Sequence, residues 1–280
     1  MLFRSVEERE ARDQIDIGVV TDRHRQQKRQ LVEGDITTFA HRRTKSLVGS
    51  DSIPRRRPHM KNGTATTLRP MFLGAHALTT PDKPAVIMTG SGYTRTFAEL
   101  DAEANRLSHL LRSAGLQPGD HVALCMENHD RYLEVLWGCQ YAGVVYTAAS
   151  SRLTSKELAY IINDCGARVF ITSKYKADQA SEIIADTASL EMRLMLDGTV
   201  PGYESYENAV AAQPSDPLPG RIAGTDMLYS SGTTGLPKGV TKPFLDLPLE
   251  TTPTSVAPSL AMLFGATPDS VYLKIGRAHV

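Results

Sequence analysis

Several features are scarce in this sequence. Only three cysteines occur in 280 residues, Cys125, Cys139 and Cys165; no two form a CxxC pair, and each lies in an apolar segment. That excludes a CxxC redox or metal motif and suits reduced, buried thiols in a cytoplasmic protein. Net charge is lacking as well, because 31 basic residues cancel 31 acidic ones. Nothing overall then points to a nucleic-acid partner or a membrane surface. No secretory signal is expected, since Met1–Gly18 is studded with charges and has no apolar h-region. Long apolar runs are missing too. The best candidate, Tyr132–Ser150, carries Glu134 and Gln140 and breaks at Gly143, short of the ~20 continuous apolar residues a spanning helix needs. The expectation is no transmembrane segment, with that stretch forming a buried helix followed by a strand.

What is present is core-forming material: hydrophobic residues make up 41% of the chain, enough for a sizeable interior. It is unevenly spread. Residues 1–60 hold 13 Lys/Arg against 9 Asp/Glu, with few apolar residues and no sustained periodicity. Such a stretch cannot bury a core and reads as a disordered basic extension. A basic arm for nucleic acid, or upstream DNA translated ahead of a start at Met60, are the other readings.

From Pro70 the chain alternates helical and extended patterns. Thr96-Phe97-Ala98-Glu99 is a capping box, followed by Leu100, Ala104, Leu107, Leu110 and Leu111 at helical spacing, which predicts a helix over Phe97–Ala114. Gly115 stops it, Pro118-Gly119-Asp120 turns the chain, and His121–Met126 reads as a short buried strand. The unit recurs: helix Arg131–Ala142 and strand Val144–Thr147; a capping box at Thr154–Glu157, a helix ending at Gly166 and strand Arg168–Thr172; helix Ala177–Ala188 and strand Met192–Leu196. Helices alternating with short apolar strands imply an α/β fold with a largely parallel sheet covered by helices. The helical leucines and Trp137 are expected in the core.

The segment that carries chemistry comes later. After a Pro-containing stretch over Gln213–Gly224, the extended run Asp226-Met227-Leu228-Tyr229 feeds Ser230-Ser231-Gly232-Thr233-Thr234-Gly235-Leu236-Pro237-Lys238-Gly239. Glycines let backbone N–H groups wrap an anion, four hydroxyls can donate to phosphate oxygens, and Lys238 brings a positive charge. Each charge-assisted hydrogen bond of this kind is worth roughly 1.5–3 kcal/mol. By composition alone the segment is as readily a flexible surface linker. It is not the GxxxxGK[ST] loop, because Pro237 occupies the second glycine position and Gly239 the final hydroxyl position.

The run Tyr229–Gly239 resembles the phosphate-loop signature of the adenylate-forming (AMP-binding) superfamily, which includes acyl-CoA synthetases, luciferases and peptide-synthetase adenylation domains. Tyr93–Arg106, Gly119–Glu127 and Gly138–Leu153 resemble other segments of that family, and the wording is most similar to fatty-acyl or related carboxylate–CoA ligases. The resemblance implies two half-reactions: ATP and a carboxylic acid give an acyl-adenylate and pyrophosphate, then the thiol of coenzyme A displaces AMP. It implies that Ser230, Ser231, Thr233, Thr234 and Lys238 hold the ATP phosphates, with Gly232, Gly235 and Gly239 allowing loop closure and Mg²⁺ bridging the phosphates. An amino-acid adenylation domain of a peptide synthetase and a non-catalytic nucleotide-binding protein remain alternatives.

The chain departs from the family in two places. The histidine that often follows the loop is missing, where Gly239-Val240-Thr241-Lys242-Pro243-Phe244 stands. Asp269–Leu273 resembles the strand before the family's substrate segment, but Lys274–Val280 continues no family pattern and resembles translated sequencing adapter. The expectation is a partial AMP-binding domain over residues 61–273, a non-native tail over 274–280, no complete set of catalytic residues, and no turnover by this chain alone. An unpaired sheet edge, with poor solubility, is expected to follow.

Overall fold

The computed structural model describes residues 72–230, 236–252, 263–265, 267 and 270–271. The extension over 1–60 and the tail over 274–280 lie outside the described residues. A short helix α1 (Leu73–Thr79) and a two-stranded antiparallel ribbon, β1 (Pro84–Ile87) and β2 (Thr94–Thr96), lead into the long helix α2 (Phe97–Ser113). The capping box forms as read from sequence: the Thr96 hydroxyl accepts from the Glu99 N–H, and the Glu99 carboxylate accepts from the Thr96 N–H at 2.8 Å. The helix ends at Ala114, and Gly115 takes the left-handed conformation, φ 86°.

The crossover units follow in order: β3 (His121–Cys125), α3 (Tyr132–Ala142), β4 (Val145–Ala148), α4 (Ser155–Asp164), β5 (Ala167–Ser173), α5 (Ala177–Glu182), β6 (Met192–Leu196), β7 (Glu204–Ser205), α6 (Tyr206–Ala211), β8 (Thr225–Ser230) and β9 (Lys238–Thr241). Seven of these strands make one sheet in the order β7-β6-β5-β3-β4-β8-β9, and all neighbours are parallel except β8 and β9. The α/β fold with a largely parallel sheet is therefore the one expected. Successive residues of β3 point to opposite faces: Val122 and Leu124 pack with Leu107 and Leu111 of α2 and Val135 of α3, whereas Ala123 and Cys125 pack with Leu158 and Ile162 of α4. With helices on both faces, period-2 polarity disappears and the strands become continuous apolar runs.

Two expectations need correction. The helix expected over Ala177–Ala188 stops at Glu182, preceded by a 3₁₀ turn at Lys174–Lys176. Past Ile183 the backbone bonds tighten from the i+4 ladder to i+3 turns, with the Ile184 N–H on the Ser181 carbonyl, Asp186 on Ile183 and Thr187 on Ile184. The strand expected over Asp269–Leu273 is not formed at Ser270 and Val271, its described residues. Thr267 and Ser270 instead close a turn, with the Ser270 N–H donating to the Thr267 carbonyl and the Thr267 N–H to the Ser270 hydroxyl. Val271 is 87% exposed.

Candidate active site

Strand β8 enters the sheet through a close backbone contact. A Cβ on Gly224 would stand 2.6 Å from the Val144 carbonyl oxygen and 2.8 Å from that of Cys139, so only glycine lets the chain lie against the α3–β4 corner. From there the Gly224 N–H donates to the Gln140 carbonyl and the Thr225 N–H to the Val144 carbonyl, which aligns β8 parallel to β4. Met227 faces the core, while Leu228 turns outward.

Strand β9 then returns antiparallel, pairing Met227 with Thr241, Leu228 with Val240, Tyr229 with Gly239 and Ser230 with Lys238. The hydroxyl- and glycine-rich segment is thus the connection of a β-hairpin, anchored at Ser230 on one strand and Lys238 on the other. The Ser230 hydroxyl donates to the Lys238 carbonyl at 3.4 Å. Ser231, Gly232, Thr233, Thr234 and Gly235 lie outside the described residues. Of the expected phosphate ligands, the structure therefore places Ser230 and Lys238, and it brings these two together.

Gly239 is required by packing against the neighbouring strand. The ring of its cross-strand partner Tyr229 lies over it, such that an added Cβ would meet the ring at 3.1 Å and the hydroxyl at 3.2 Å. Tyr229 donates to Asp164 at the end of α4, and burial together with that carboxylate pushes its hydroxyl well above the ordinary 10. Tyr229 is therefore a neutral donor that ties the hairpin to α4. Two lysines flank the hairpin. Lys242 pairs with Asp226 at 2.7 Å, whereas no carboxylate pairs with the exposed Lys238 among the described residues. A cation and a hydroxyl facing each other across the mouth of a glycine-rich loop form a donor set suited to a polyphosphate, so the residues present fit a nucleotide.

Comparison with known proteins points the same way. The chain is 36% identical over 155 residues to a long-chain-fatty-acid–CoA ligase of Thermus thermophilus, covering 54% of this chain and 28% of that one. It is 34% identical over 167 residues to the fatty acid–[acyl-carrier-protein] ligase ScoC of Streptomyces coeruleorubidus, covering 59% and 31%. The chain thus spans about three-tenths of the length of these relatives. Among solved structures, the anthranilate CoA ligase AuaEII in complex with anthranoyl-AMP superposes with a TM-score of 0.54 at 26% identity, over 60% of this chain and 33% of that one. A fatty acyl CoA synthetase of Mycobacterium tuberculosis gives 0.53 at 25% identity, over 61% and 33%. The profile of the family described as AMP-binding enzyme matches residues 73–272. The chain belongs to the AMP-binding enzyme family.

Proposed function

We propose that this chain is the amino-terminal part of an ATP-dependent carboxylate–CoA ligase acting on a fatty or related organic acid in the cytoplasm. Its phosphate loop runs from Ser230 to Lys238. The observation that carries the reading is the hairpin, whose register sets Ser230 against Lys238 at the two ends of the Ser/Thr/Gly segment. Ser230, Ser231, Thr233, Thr234 and Lys238 hold the phosphates, and Gly232 and Gly235 let the backbone close around them. The hydroxyls and the ammonium bind and orient the polyphosphate so that the carboxylate can attack the α-phosphorus and pyrophosphate can leave. Mg²⁺, when bound, shares the negative charge of the phosphates. In the second half-reaction the thiol of coenzyme A attacks the acyl carbon and AMP departs. Both relatives support this class of acid, and the Thermus thermophilus ligase supports coenzyme A as the thiol; no helix among the described residues is long and apolar enough to cross a membrane.

The domain assignment follows the same reading: residues 61–273 form part of the AMP-binding domain, 1–60 a basic extension and 274–280 a non-native tail. The chain alone is then a nucleotide binder without turnover.

The test is titration of the purified 280-residue chain with a fluorescent ATP analogue in the presence of Mg²⁺, alongside ATP–pyrophosphate exchange. Saturable binding is expected, weakened roughly 10- to 150-fold by Lys238→Ala if the lysine supplies one charge-assisted contact. Unchanged affinity in that variant, or no binding by the parent chain, refutes the loop assignment. Exchange activity in the parent chain would overturn the claim of inactivity and leave the ligase reading standing.

A further inference from the structure

The strand order carries information that the phosphate loop does not use. From β3, the chain passes through α3 to β4 on one side, then crosses through α4 to β5 on the other side of β3. The connections leaving the carboxyl ends of β3 and β5 therefore diverge, and the crevice between such ends is where open α/β sheets bind ligands. Just past the carboxyl ends of β3 and β6 lie side chains able to hold a metal. Glu127 lies two residues past the end of β3, His129 four residues past it, and Asp197 immediately after β6, the neighbour of β5. One ligand atom from each of the three lies within 4.8 Å of the others.

His129 is oriented for the purpose. Its side chain is 6% exposed, and its Nε2 stands 2.8 Å from the Asp197 carboxylate. Its Nδ1 is 3.0 Å from Asp130 Oδ1, and the other oxygen of Asp130 faces Arg95 at 3.9 Å. A carboxylate on the far nitrogen of an imidazole is the usual outer partner of a metal-bound histidine, fixing the tautomer and raising the basicity of the ligating nitrogen. Glu127 is held from behind by the Ser173 hydroxyl, at the last residue of β5.

We propose that Glu127, His129 and Asp197 bind one divalent first-row transition ion, of the Zn²⁺ class, at the carboxyl edge of the sheet. An imidazole with two carboxylates suits Zn²⁺, Co²⁺ or Mn²⁺, and three protein ligands leave a position for water or a second molecule. Ligand distances of about 2.0–2.2 Å bring neighbouring donors to roughly 3.5 Å of each other. The Asp197 side chain is 62% exposed and free to close that gap by rotation. The Arg131 N–H lies 3.1 Å from Nδ1 as a further partner of the ring. The three cysteines are buried and take no part.

The site shares no residue with the Ser230–Lys238 loop, so its test is independent of the nucleotide reading. The chelator-treated 280-residue chain is titrated with Zn²⁺ by calorimetry and with Co²⁺ by visible and near-ultraviolet absorption. One saturable site is expected, lost in His129→Ala and Asp197→Asn, and weakened about 10- to 100-fold in Asp130→Asn, which changes the partner of the far nitrogen and none of the three ligands. Asp197→Asn alters an exposed side chain, so its circular dichroism is expected to match the parent and its loss of binding is not a loss of fold. No saturable site in the parent chain would overturn the proposal. So would affinity unchanged in both ligand variants, or a thiolate-to-cobalt absorption band.

Discussion

Glu134 is fully buried, yet it is a carboxylate in the first turn of an apolar helix. Its carboxylate accepts hydrogen bonds from Arg95 of β2, from Arg131 at 3.0 and 3.1 Å, and from the Tyr206 hydroxyl of α6 at 2.7 Å. Both guanidiniums are pulled out of solvent, and the carboxylate compensates them. Removing it leaves, among the described residues, only the carboxylate of Asp130 to Arg95, at 3.9 Å, and only that of Glu103 to Arg131, at 3.6 Å, and breaking a buried pair typically costs about 3–5 kcal/mol. Glu134→Ala is expected to lower urea-unfolding stability by that amount, whereas Tyr206→Phe, which keeps the charges matched, is expected to cost about 1.5–3 kcal/mol. Equal losses in the two variants would mean that the charges are not coupled. In the sequence, Glu134 is visible only as an interruption of an apolar run. Arg131 is three residues away, but Arg95 and Tyr206 lie 39 and 72 residues away, beyond the reach of any local pattern. The same holds for His129 and Asp197, 68 residues apart. A Glu-Asn-His-Asp string directly after a strand was the available signal for that cluster, but its third ligand was not.

At the scale of elements, the two capping boxes were fully legible because a cap is written within four residues. Thr96 with Glu99 and Thr154 with Glu157 both form reciprocal pairs. The backbone N–H and hydroxyl of each threonine hold the ionised glutamate, lowering its pKa below the ordinary 4.5. The unfolded chain therefore takes up these two protons first as the pH falls. Their stabilisation is fully present above about pH 4.5 and disappears as the pH drops through the lower folded values. Glu99→Gln/Glu157→Gln keeps both cap hydrogen bonds but removes both charges. Thermal midpoints followed against pH are expected to show parent and variant separated at neutral pH and converging in acid. A constant separation across the range would show that the charges contribute nothing. Helix α5 was the element least well read. Its apolar spacing continues to Ala188, but from Ile184 the backbone closes i+3 turns instead of the i+4 ladder, a choice that the spacing of apolar residues does not record.

At the scale of the whole molecule, the sheet of the described residues ends on β9, whose four residues are all exposed and which among those residues pairs only with β8. Leu228 and Val240 are register partners on one face of that hairpin, 48% and 59% exposed. Leu236 and Leu245, at 62% and 56%, add further exposed apolar surface nearby in the chain. An edge strand with apolar side chains and free backbone groups invites pairing with another chain. Concentration-dependent association in light scattering is therefore expected for the 280-residue chain, and Val240→Lys is expected to suppress it. Association that persists in the variant would place the contact elsewhere.

The linear chain settled the alternation of helices and buried strands, the caps, and the Ser/Thr/Gly/Lys segment, because each depends on residues within one turn, one strand period or one loop. Packing alone decided the order of the strands. The crossing of β5 past β3, and the return of β9 against β8, depend on how crossover helices cover two sheet faces at once. Those choices join Ser230 to Lys238, Glu134 to Arg95 and Tyr206, and His129 to Asp197. Burial and charge pairing over long separations act only once the sheet exists, so no local reading of the sequence could contain them.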